Sequence, residues 1–294
     1  HGVTVQIQLV NWQALKGRLR NALLAGREVG DLVELQANAL GVFTSGPLEE
    51  VGFADLRPLL ERDRLWSALL QHRLALWTVG GQTLAVPHDS HPVVLAYRRD
   101  LVAALGIDVE RVETWDDFTA VGRSITRDLD GDGLVDRYAI DFGSPAADLR
   151  RLLAQRDADI VGPDRQLRFG GSELAETIAW YARQTAGPRR IATACGWGQS
   201  YAKCLIDGLA LFFPVADWRT RMMEDDAPQV SGRMALMPLP AWRSGGRRTS
   251  TEGGTGMAIA KTSRRPELAW ELLKFLYFDT NEVGGRFQAT HVLP

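Results

Sequence analysis

Several features that mark specialised classes of protein are scarce or absent in this sequence. The 294 residues include only two cysteines, so the chain is not a disulfide-rich scaffold, and no Cys/His cluster has the spacing of a zinc site. The formal net charge of -2 argues against a nucleic-acid-binding protein, which would carry a basic stripe. No apolar run approaches the roughly 18 residues of a membrane-spanning helix. The 45% hydrophobic and 24% charged residues instead favour a globular protein of one large or two ordinary domains.

Sequence signatures of enzymes are also missing. There is no nucleophile elbow, no catalytic-triad order and no cofactor fingerprint. The glycine run at residues 253–256 leads into a strand rather than a helix, so it is a poor phosphate cradle. We expect this run to let the backbone approach a ligand or bend at a hinge. His88 and His91 lie in a proline-flanked loop with only Asp89 nearby, so no metal site is expected there.

Alternating strands and helices predict an α/β fold. Apolar residues alternate with polar ones over residues 3–10, which predicts a strand. A helix follows from about Gln13, and a second strand is predicted at residues 31–35. This βαβ-like opening favours an α/β sheet. Further strands are predicted at residues 209–213 and 257–260.

The segment from Gly253 to Leu276 combines a glycine cluster, a short apolar strand, a polar turn and an amphipathic helix. Ser263 is the predicted N-cap of this helix, and Pro266 lies in its first turn. Its motif is Gly-Gly-Thr-Gly-Met-Ala-Ile-Ala-Lys, a short gap, and Pro-Glu-Leu-Ala-Trp-Glu-Leu-Leu-Lys-Phe-Leu. The motif resembles the late segment of extracellular solute-binding proteins that serve ATP-binding-cassette importers. Within that family it is most similar to the sugar-binding group, which includes maltose-binding protein.

Other segments resemble the same family and occur in the family's order. Residues 85–101 look like its first hinge crossing, and residues 207–218 resemble a later strand and the loop after it. Thr114-Trp115-Asp116-Asp117-Phe118 resembles a family helix start, with Thr114 as the cap and Asp117 at the reciprocal position. Each motif is weak alone, but their common order makes the resemblance stronger.

The resemblance implies an α/β, two-lobe periplasmic-binding-protein-like fold with a ligand cleft at the hinge. Lobe one is expected to comprise residues 1–95 plus 253–294, and lobe two residues 96–252. Family members continue for several tens of residues beyond the position of Pro294. We therefore expect the C-terminal part of lobe two to be missing from this chain.

The resemblance also implies a function in solute capture. We expect an extracytoplasmic binding protein, not an enzyme, that captures a sugar or oligosaccharide and delivers it to the membrane permease of the importer. It would be a monomer without a required cofactor or a nucleic-acid partner. We expect a periplasmic or extracellular location, and lipid anchoring of the full-length protein stays open, as does a non-sugar solute such as glycerol phosphate. A secreted carbohydrate-active hydrolase is the alternative, because one sequence does not show whether two carboxylates face each other.

The nine tryptophans are many for a chain of this size. Four of them lie in loops or at strand ends: Trp12, Trp197, Trp218 and Trp242. Aromatic rings cover the apolar faces of a sugar while carboxylates bond its hydroxyl groups, and packing within a lobe is the alternative for each ring. The neighbouring carboxylates are Glu34, Asp89 and Asp217. By resemblance, the positions that line the family's cleft are Trp12, Glu34, Asp89, Trp197, Asp217, Trp218 and Gly254.

Residues 128–136 have the spacing of a calcium-binding loop. The candidate oxygen ligands are Asp128, Asp130, Asp132, the Leu134 carbonyl and Asp136, with Gly133 at the turn position. The twelfth loop position holds Ala139 instead of a bidentate glutamate, which lowers the expected affinity. An acidic surface turn is the alternative, and any bound calcium would be structural.

Cys195 and Cys204 are close in sequence. If the protein is exported, the two cysteines can form a disulfide. Two free, partly buried thiols are the alternative, and the sequence leaves both open.

Overall fold

A computed structural model of the chain describes residues 2–158, 160 and 166–290. Its α-helices are α1 (Trp12–Leu24), α2 (Leu40–Phe43), α3 (Arg57–Arg62), α4 (Gln71–Leu74), α5 (Arg99–Ala104), α6 (Trp115–Ile125), α7 (Pro145–Gln155), α8 (Ser172–Thr185), α9 (Gln199–Asp207), α10 (Asp217–Asp226), α11 (Pro266–Phe278) and α12 (Thr280–Thr290). Its strands are β1 (Leu32–Gln36), β2 (Thr78–Val79), β3 (Gln82–Thr83), β4 (Val86–Pro87), β5 (Pro92–Arg98), β6 (Tyr138–Asp141), β7 (Ala192–Thr193), β8 (Ala210–Ala216), β9 (Met234–Met237), β10 (Ser250–Thr251) and β11 (Thr255–Ile259). Within these ranges, no helix combines the length and apolar character that crossing a bilayer requires.

The chain divides into two compact units. Unit one comprises residues 1–90 and 253–294, and unit two comprises residues 91–252. The sequence predicts the first boundary after residue 95, whereas the structure has it after residue 90. The reason is that β5 pairs with β8 from Val93 to Tyr97, so the whole strand belongs to unit two. Residues 291–294, the predicted end of lobe one, lie outside the described residues.

Unit one contains a sheet with the strand order β1-β11-β4, in which β11 is antiparallel to both neighbours. Val33 and Leu35 of β1 are buried while Glu34 between them is exposed, which is the period-two pattern of a strand with one covered face. Trp270 and Leu273 of α11 are fully buried in the cluster that also contains Ile259 of β11. The predicted strand-to-helix segment therefore supplies both a central strand of this sheet and part of its core.

The strand predicted over residues 3–10 is absent, and this prediction is wrong. Ile7 and Leu9 are 78% and 96% exposed, and the segment pairs with none of the described strands. Alternation shows which face a strand would bury, but a strand also needs a neighbouring strand edge for its backbone hydrogen bonds. β11 pairs with β1 and β4, and the predicted βαβ opening does not form. β11 nevertheless lies in the sheet of unit one, as its placement in lobe one requires.

Unit two contains, in the described residues, a sheet with the order β10-β5-β8-β6-β7, with β9 also paired to β5. β6 runs parallel to β7 and β8, whereas β5 is antiparallel to β8. Phe212 of β8 packs edge-on against Phe118, and the next residue, Phe213, packs edge-on against Tyr201 in a different cluster. β8 is thus buried on both faces, so its sequence is a continuous apolar run.

Two predicted helix starts have different outcomes. At α6, the Thr114 hydroxyl accepts a hydrogen bond from the Asp117 N–H, and the Asp117 carboxylate accepts one from the Thr114 N–H, so the predicted capping box is confirmed. The predicted N-cap at Ser263 is wrong, because Arg265 occupies that position. The Ser263 hydroxyl instead donates to Asp31 at 2.6 Å and accepts from the Arg265 N–H, so it fixes the turn before the helix.

Candidate functional site

The carboxyl ends of three parallel strands meet at one edge of the sheet of unit two. β6 ends at Asp141, β7 at Thr193 and β8 at Ala216. The antiparallel β5 begins at the same edge, because its Val93 is opposite Ala216. The polar and aromatic residues at these strand ends are His91, Asp141, Cys195, Trp197, Asp217, Trp218 and Arg219. Ligands of open α/β sheets bind beyond the carboxyl ends of the strands, so this set, the unit-two edge, is the candidate site.

Two of the predicted tryptophans form a stacked pair at the unit-two edge. The rings of Trp197 and Trp218 are parallel within 1°, with centroids 6.2 Å apart. Trp197 is 61% exposed, whereas Trp218 is partly buried against the core of unit two. The Arg219 Cζ lies 3.8 Å from the Trp197 ring centroid and 3.9 Å from that of Tyr201. The cation–π contacts hold the exposed ring in place, so Trp197 offers a positioned apolar face to a ligand.

A disulfide between Cys195 and Cys204 closes the loop that carries Trp197. Their Cα atoms are 5.7 Å apart, and both side chains are buried. The alternative left open by the sequence is thereby resolved in favour of the disulfide. Gly196 and Gly198 have φ angles of 76° and 60°, and a Cβ at residue 196 would lie 2.7 Å from the Ser200 Oγ. The loop thus needs glycine at residue 196 for both its backbone conformation and its close packing.

Asp217 is anchored by its own neighbours. Its Oδ1 lies 2.8 Å from His91 Nδ1 and accepts a hydrogen bond from the Trp218 N–H at 2.9 Å. The side chain is 16% exposed. The predicted carboxylate is therefore in place beside the tryptophan pair, in an orientation fixed by the first turn of α10 and by His91.

Asp141 and Arg219 are site residues that the sequence did not reveal. Asp141 is half-buried, and its Oδ1 accepts a hydrogen bond from the Cys195 N–H at 2.9 Å. Burial raises the pKa of Asp141 to about 6, against the lowering effects of this hydrogen bond and of the cations Arg151 and Arg219. The feature of the sequence that indicates Asp141 is its position, because it is the polar residue at the end of an apolar, buried strand.

In unit one, β1 and β4 are both antiparallel to β11 and therefore run in the same direction. The unit-one edge comprises Glu34 of β1, the residues His88 and Asp89 that follow β4, and Gly254 and Thr255 at the start of β11. One Asp89 oxygen pairs with Arg73 Nη2 at 2.8 Å, and the other accepts hydrogen bonds from the Thr255 N–H and hydroxyl. The buried Asp89 carboxylate thus holds the first residue of β11 in place and links it to Arg73.

Gly254 permits a close backbone approach at the unit-one edge. Its φ is 130°, and a Cβ there would lie 2.6 Å from Arg73 Nη2. Its carbonyl accepts a hydrogen bond from the Ala37 N–H at 2.9 Å. A side chain at residue 254 would displace the arginine that pairs with Asp89, so glycine is required there.

Glu34 is the most exposed carboxylate of the unit-one edge. Its Oε1 lies 3.1 Å from His88 Nε2, and this hydrogen bond holds the pKa of Glu34 below its usual range. The His88 ring stacks on Tyr277, with centroids 4.6 Å apart. Trp12 is the first residue of α1 and half-buried, and it makes no ring contact with the aromatic residues of the described ranges.

Trp242 lies in the aromatic core of unit two. Its ring is 5.4 Å from that of Trp180 and 6.4 Å from that of Trp115, and the Arg156 guanidinium covers it at 4.7 Å. The structure therefore favours the packing alternative for Trp242 and leaves Trp197 and Trp218 as the pair at the edge.

The acidic loop brings together three of its four aspartates. Oxygens of Asp128, Asp130 and Asp136 lie within 4.8 Å of one another, and all three residues are exposed. The Asp132 carboxylate lies outside this group and accepts a hydrogen bond from the Leu134 N–H at 2.7 Å. Ala139, at the twelfth position, is fully buried in β6. The loop thus offers a three-carboxylate set for a hard cation such as calcium.

Comparisons with known proteins agree on one family. The family model described as bacterial extracellular solute-binding protein matches residues 1–283. The arabinooligosaccharide-binding protein of Bacillus subtilis (strain 168) is 26% identical over 259 residues, covering 86% of this chain and 57% of that protein. The protein of the same description from Halalkalibacterium halodurans is 23% identical over 259 residues, covering 86% and 56%. The chain spans about half the length of the curated relatives it matches.

Solved structures share the fold. A solute-binding protein of Thermotoga lettingae TMO, bound with alpha-D-tagatose, matches with a TM-score of 0.76 at 15% identity, covering 99% of this chain and 73% of that chain. The sugar-binding protein MalE from Xanthomonas citri matches with a TM-score of 0.74 at 22% identity, covering 99% and 72%. These matches establish a two-lobe α/β solute-binding fold.

Proposed function

The chain belongs to the family of bacterial extracellular solute-binding proteins, and we propose that it captures a sugar or oligosaccharide and delivers it to the membrane permease of an ATP-binding-cassette importer. The family consists of substrate-binding proteins and not enzymes, so the proposed activity is reversible capture. We place the protein in the periplasm or outside the cell, and lipid anchoring of the full-length protein stays a prediction.

One observation carries the choice of ligand class: the stacked pair of Trp197 and Trp218 at the unit-two edge. A sugar ring presents an apolar C–H face, and an exposed indole held flat by Arg219 is a complementary surface. The curated relatives are described as arabinooligosaccharide-binding proteins, which supports an oligosaccharide ligand for this chain.

Carboxylates beside the rings supply the hydrogen-bond acceptors that hydroxyl groups need. In unit two these are Asp217 and Asp141, both held in place by their own hydrogen bonds. In unit one the half-exposed Glu34 has this role, while Asp89 and Gly254 shape the backbone around it. Trp12 stays a predicted ligand residue on the grounds of the sequence resemblance alone.

The hydrolase alternative has less support than binding. The relatives and structural neighbours reported above are binding proteins. A glycosidase would also need one carboxylic acid and one carboxylate on opposite sides of a bond. At the unit-two edge, the acids Asp141 and Asp217 both hold backbone N–H groups, which suits fixed acceptors of hydroxyl groups.

A test of the proposed function combines binding and product analysis. Arabino-, malto- and galacto-oligosaccharides and tagatose would be titrated by calorimetry and in thermal-shift assays, since a ligand of the folded state raises the melting temperature. We expect at least one carbohydrate to bind, and to be recovered intact after prolonged incubation. Shortened oligosaccharide products would favour the hydrolase, and the absence of any carbohydrate binding would contradict the proposal.

A further inference from the structure

Arg219 differs from the other buried arginines. Four arginines are buried in the part of the chain that the structure describes. Three of them form ion pairs: Arg73 with Asp89, Arg98 with Asp100, and Arg151 with Asp148 and Glu252. Arg219 is 7% exposed and forms no ion pair with a carboxylate of the described residues. A buried guanidinium without a directly bonded carboxylate is costly, so Arg219 calls for an explanation.

The groups around Arg219 do not neutralise its charge. The rings of Trp197 and Tyr201 lie within 3.9 Å of its Cζ, and Trp218 lies at 6.0 Å. Burial raises the pKa of Tyr201 to about 12, so the phenol stays neutral. Aromatic faces stabilise a cation through their quadrupoles but carry no net charge. The positive charge of Arg219 therefore remains available to an anion.

Asp141 is the acid at the unit-two edge whose pKa is lowered by Arg219. This is a longer-range attraction, because no direct ion pair joins the two side chains in the described residues. The Asp141 Oδ1 accepts a hydrogen bond from the Cys195 N–H. Burial and the nearby Asp148 raise its pKa, while Arg151 and Arg219 lower it. Asp217, the other acid of the edge, is bonded to His91 and to the N–H of its own helix.

Two helix N-termini lie at the same edge as Arg219. α10, which follows β8, has ten residues, and Arg219 is its third. α9 has nine residues and begins directly after Gly198 in the Trp197 loop. Helix N-termini favour negative charge because their free N–H groups and aligned dipoles give a positive potential. This potential adds to that of the Arg219 guanidinium, which is bonded to the neutral Tyr201 phenol and forms no ion pair in the described residues.

We infer that the ligand carries an anionic group, a carboxylate or a phosphate ester on a sugar, which Arg219 binds while the Trp197 ring stacks on the sugar. This inference rests on the proposed function and narrows its substrate class to acidic sugars. A guanidinium binds either anion through paired N–H···O bonds, so the geometry fits both sources of the charge.

The test compares acidic and neutral ligands of matched shape. Calorimetric titrations would use arabinose, galactose, xylose and glucose oligosaccharides beside oligogalacturonate, glucuronoxylo-oligosaccharides and the methyl ester of oligogalacturonate. Arabinose 5-phosphate and glycerol phosphate, each with its phosphate-free counterpart, distinguish a phosphate from a carboxylate. We expect an acidic member to bind at least about tenfold more tightly than its neutral counterpart, with an affinity that falls as salt is added.

The outcomes separate this inference from the proposed function. If neutral sugars bind and their acidic counterparts bind no better, the inference is wrong and the proposed function stands. If no member of either series binds, both are contradicted. A preference for phosphate over carboxylate, or the reverse, supports the inference and names the anion.

Variants locate the anion at Arg219. Arg219→Met keeps an apolar stem between the rings and removes the charge, so the advantage of the acidic ligand should be lost, and Arg219→Lys should retain part of it. Arg221→Met is the matched control, because Arg221 lies on the same helix, is exposed and pairs with Asp225. Arg221→Met should leave the affinities for the acidic and the neutral ligand unchanged. If folded Arg219→Met has the same ratio of affinities for the acidic ligand and its methyl ester as the wild type, the assignment of the anion to Arg219 is wrong. If Arg219→Met does not fold, the affinities of the wild-type protein for acidic and neutral ligands decide the question.

Discussion

The indole rings of Trp197 and Trp218 lie in parallel planes with centroids 6.2 Å apart, although the two residues are contributed by different segments of unit two. Trp197 comes from the disulfide-closed loop after β7, and Trp218 from the first turn of α10 after β8. They meet because β7 and β8 both run parallel to β6 and end at the same edge. The aromatic surface is thus a consequence of sheet topology.

The first prediction separates ring contacts with a ligand from core packing. Trp197→Ala should weaken carbohydrate binding by about 1–3 kcal/mol, because it removes an exposed stacking face. Its free energy of unfolding should change much less, since the ring is 61% exposed. Trp218→Ala should lower both affinity and stability, because that ring also packs against the core. Calorimetric affinity and chemical denaturation measure the two effects.

Trp242→Ala is the control with the opposite expectation, namely a loss of stability without a loss of affinity. Its ring packs against Trp115 and Trp180, so its removal should cost about 3 kcal/mol of stability and leave the affinity of the folded protein unchanged. Loss of affinity in Trp242→Ala with unchanged affinity in Trp197→Ala would show that the ligand surface is misplaced.

The second prediction concerns the close contact between Gly256 and Trp77. A Cβ at residue 256 would lie 2.7 Å from Trp77 Cε2, and Trp77 is fully buried. Gly256→Ala should therefore destabilise unit one by about 1–3 kcal/mol through overpacking. Gly284→Ala is the control, because that glycine lies within α12 with open space around its Cβ position. It should raise stability by about 0.5–1 kcal/mol, and equal effects of the two changes would contradict the packing argument.

The elements that were predicted correctly are those encoded by local sequence. The capping box of Thr114 and Asp117 depends on residues three apart, and the apolar run of β8 reports burial on both faces. Residues 3–10 have an equally clear pattern, but a strand there depends on a partner edge elsewhere in the chain. The alternation of apolar and polar residues is a property of the segment alone. Whether a neighbouring strand is available to pair with it depends on the tertiary structure.

The same distinction explains the site residues. Trp197 and Trp242 both lie in loops, and their different roles depend on whether core aromatics surround the ring. In our proposal Asp141 belongs to the site because β6, β7 and β8 end at the same edge of the sheet. No local sequence pattern shows that these three strand ends meet. Arg219 was not identifiable among the 34 lysines and arginines, because what distinguishes it is that, in the described residues, it lacks the ion pair that the other buried arginines form.

The third prediction concerns calcium in the acidic loop, which we propose as a structural site. Because the oxygens of Asp128, Asp130 and Asp136 converge, calcium at millimolar concentration should raise the melting temperature of metal-free protein. Asp136→Asn should remove most of this response, since it deletes one charge of the group. Asp132→Asn should keep it, because the Asp132 carboxylate lies outside the group. No heat of binding and no stabilisation by calcium would count against the site.

The last prediction concerns the pH dependence of stability due to Asp141. Burial raises its pKa to about 6 from the ordinary 3.8, so the folded protein binds this proton more tightly than the unfolded chain does. The resulting stabilisation is fully present below the unfolded pKa and is lost as the pH rises through the folded pKa. It amounts to about 3 kcal/mol as an upper limit.

Asp141→Asn isolates this effect, because an asparagine keeps an oxygen that accepts the Cys195 N–H but does not ionise. Relative to wild type, the variant should gain stability between about pH 4 and pH 8, with the gain appearing as the carboxyl group ionises. Urea denaturation of both proteins across this range measures the difference. Asp116→Asn, at an exposed position on α6, is the control for replacing an exposed carboxyl group. A wild-type protein that is more stable than Asp141→Asn at about pH 8 would mean that the ionised carboxylate is favoured by its surroundings, and the direction of the pKa shift would then be wrong.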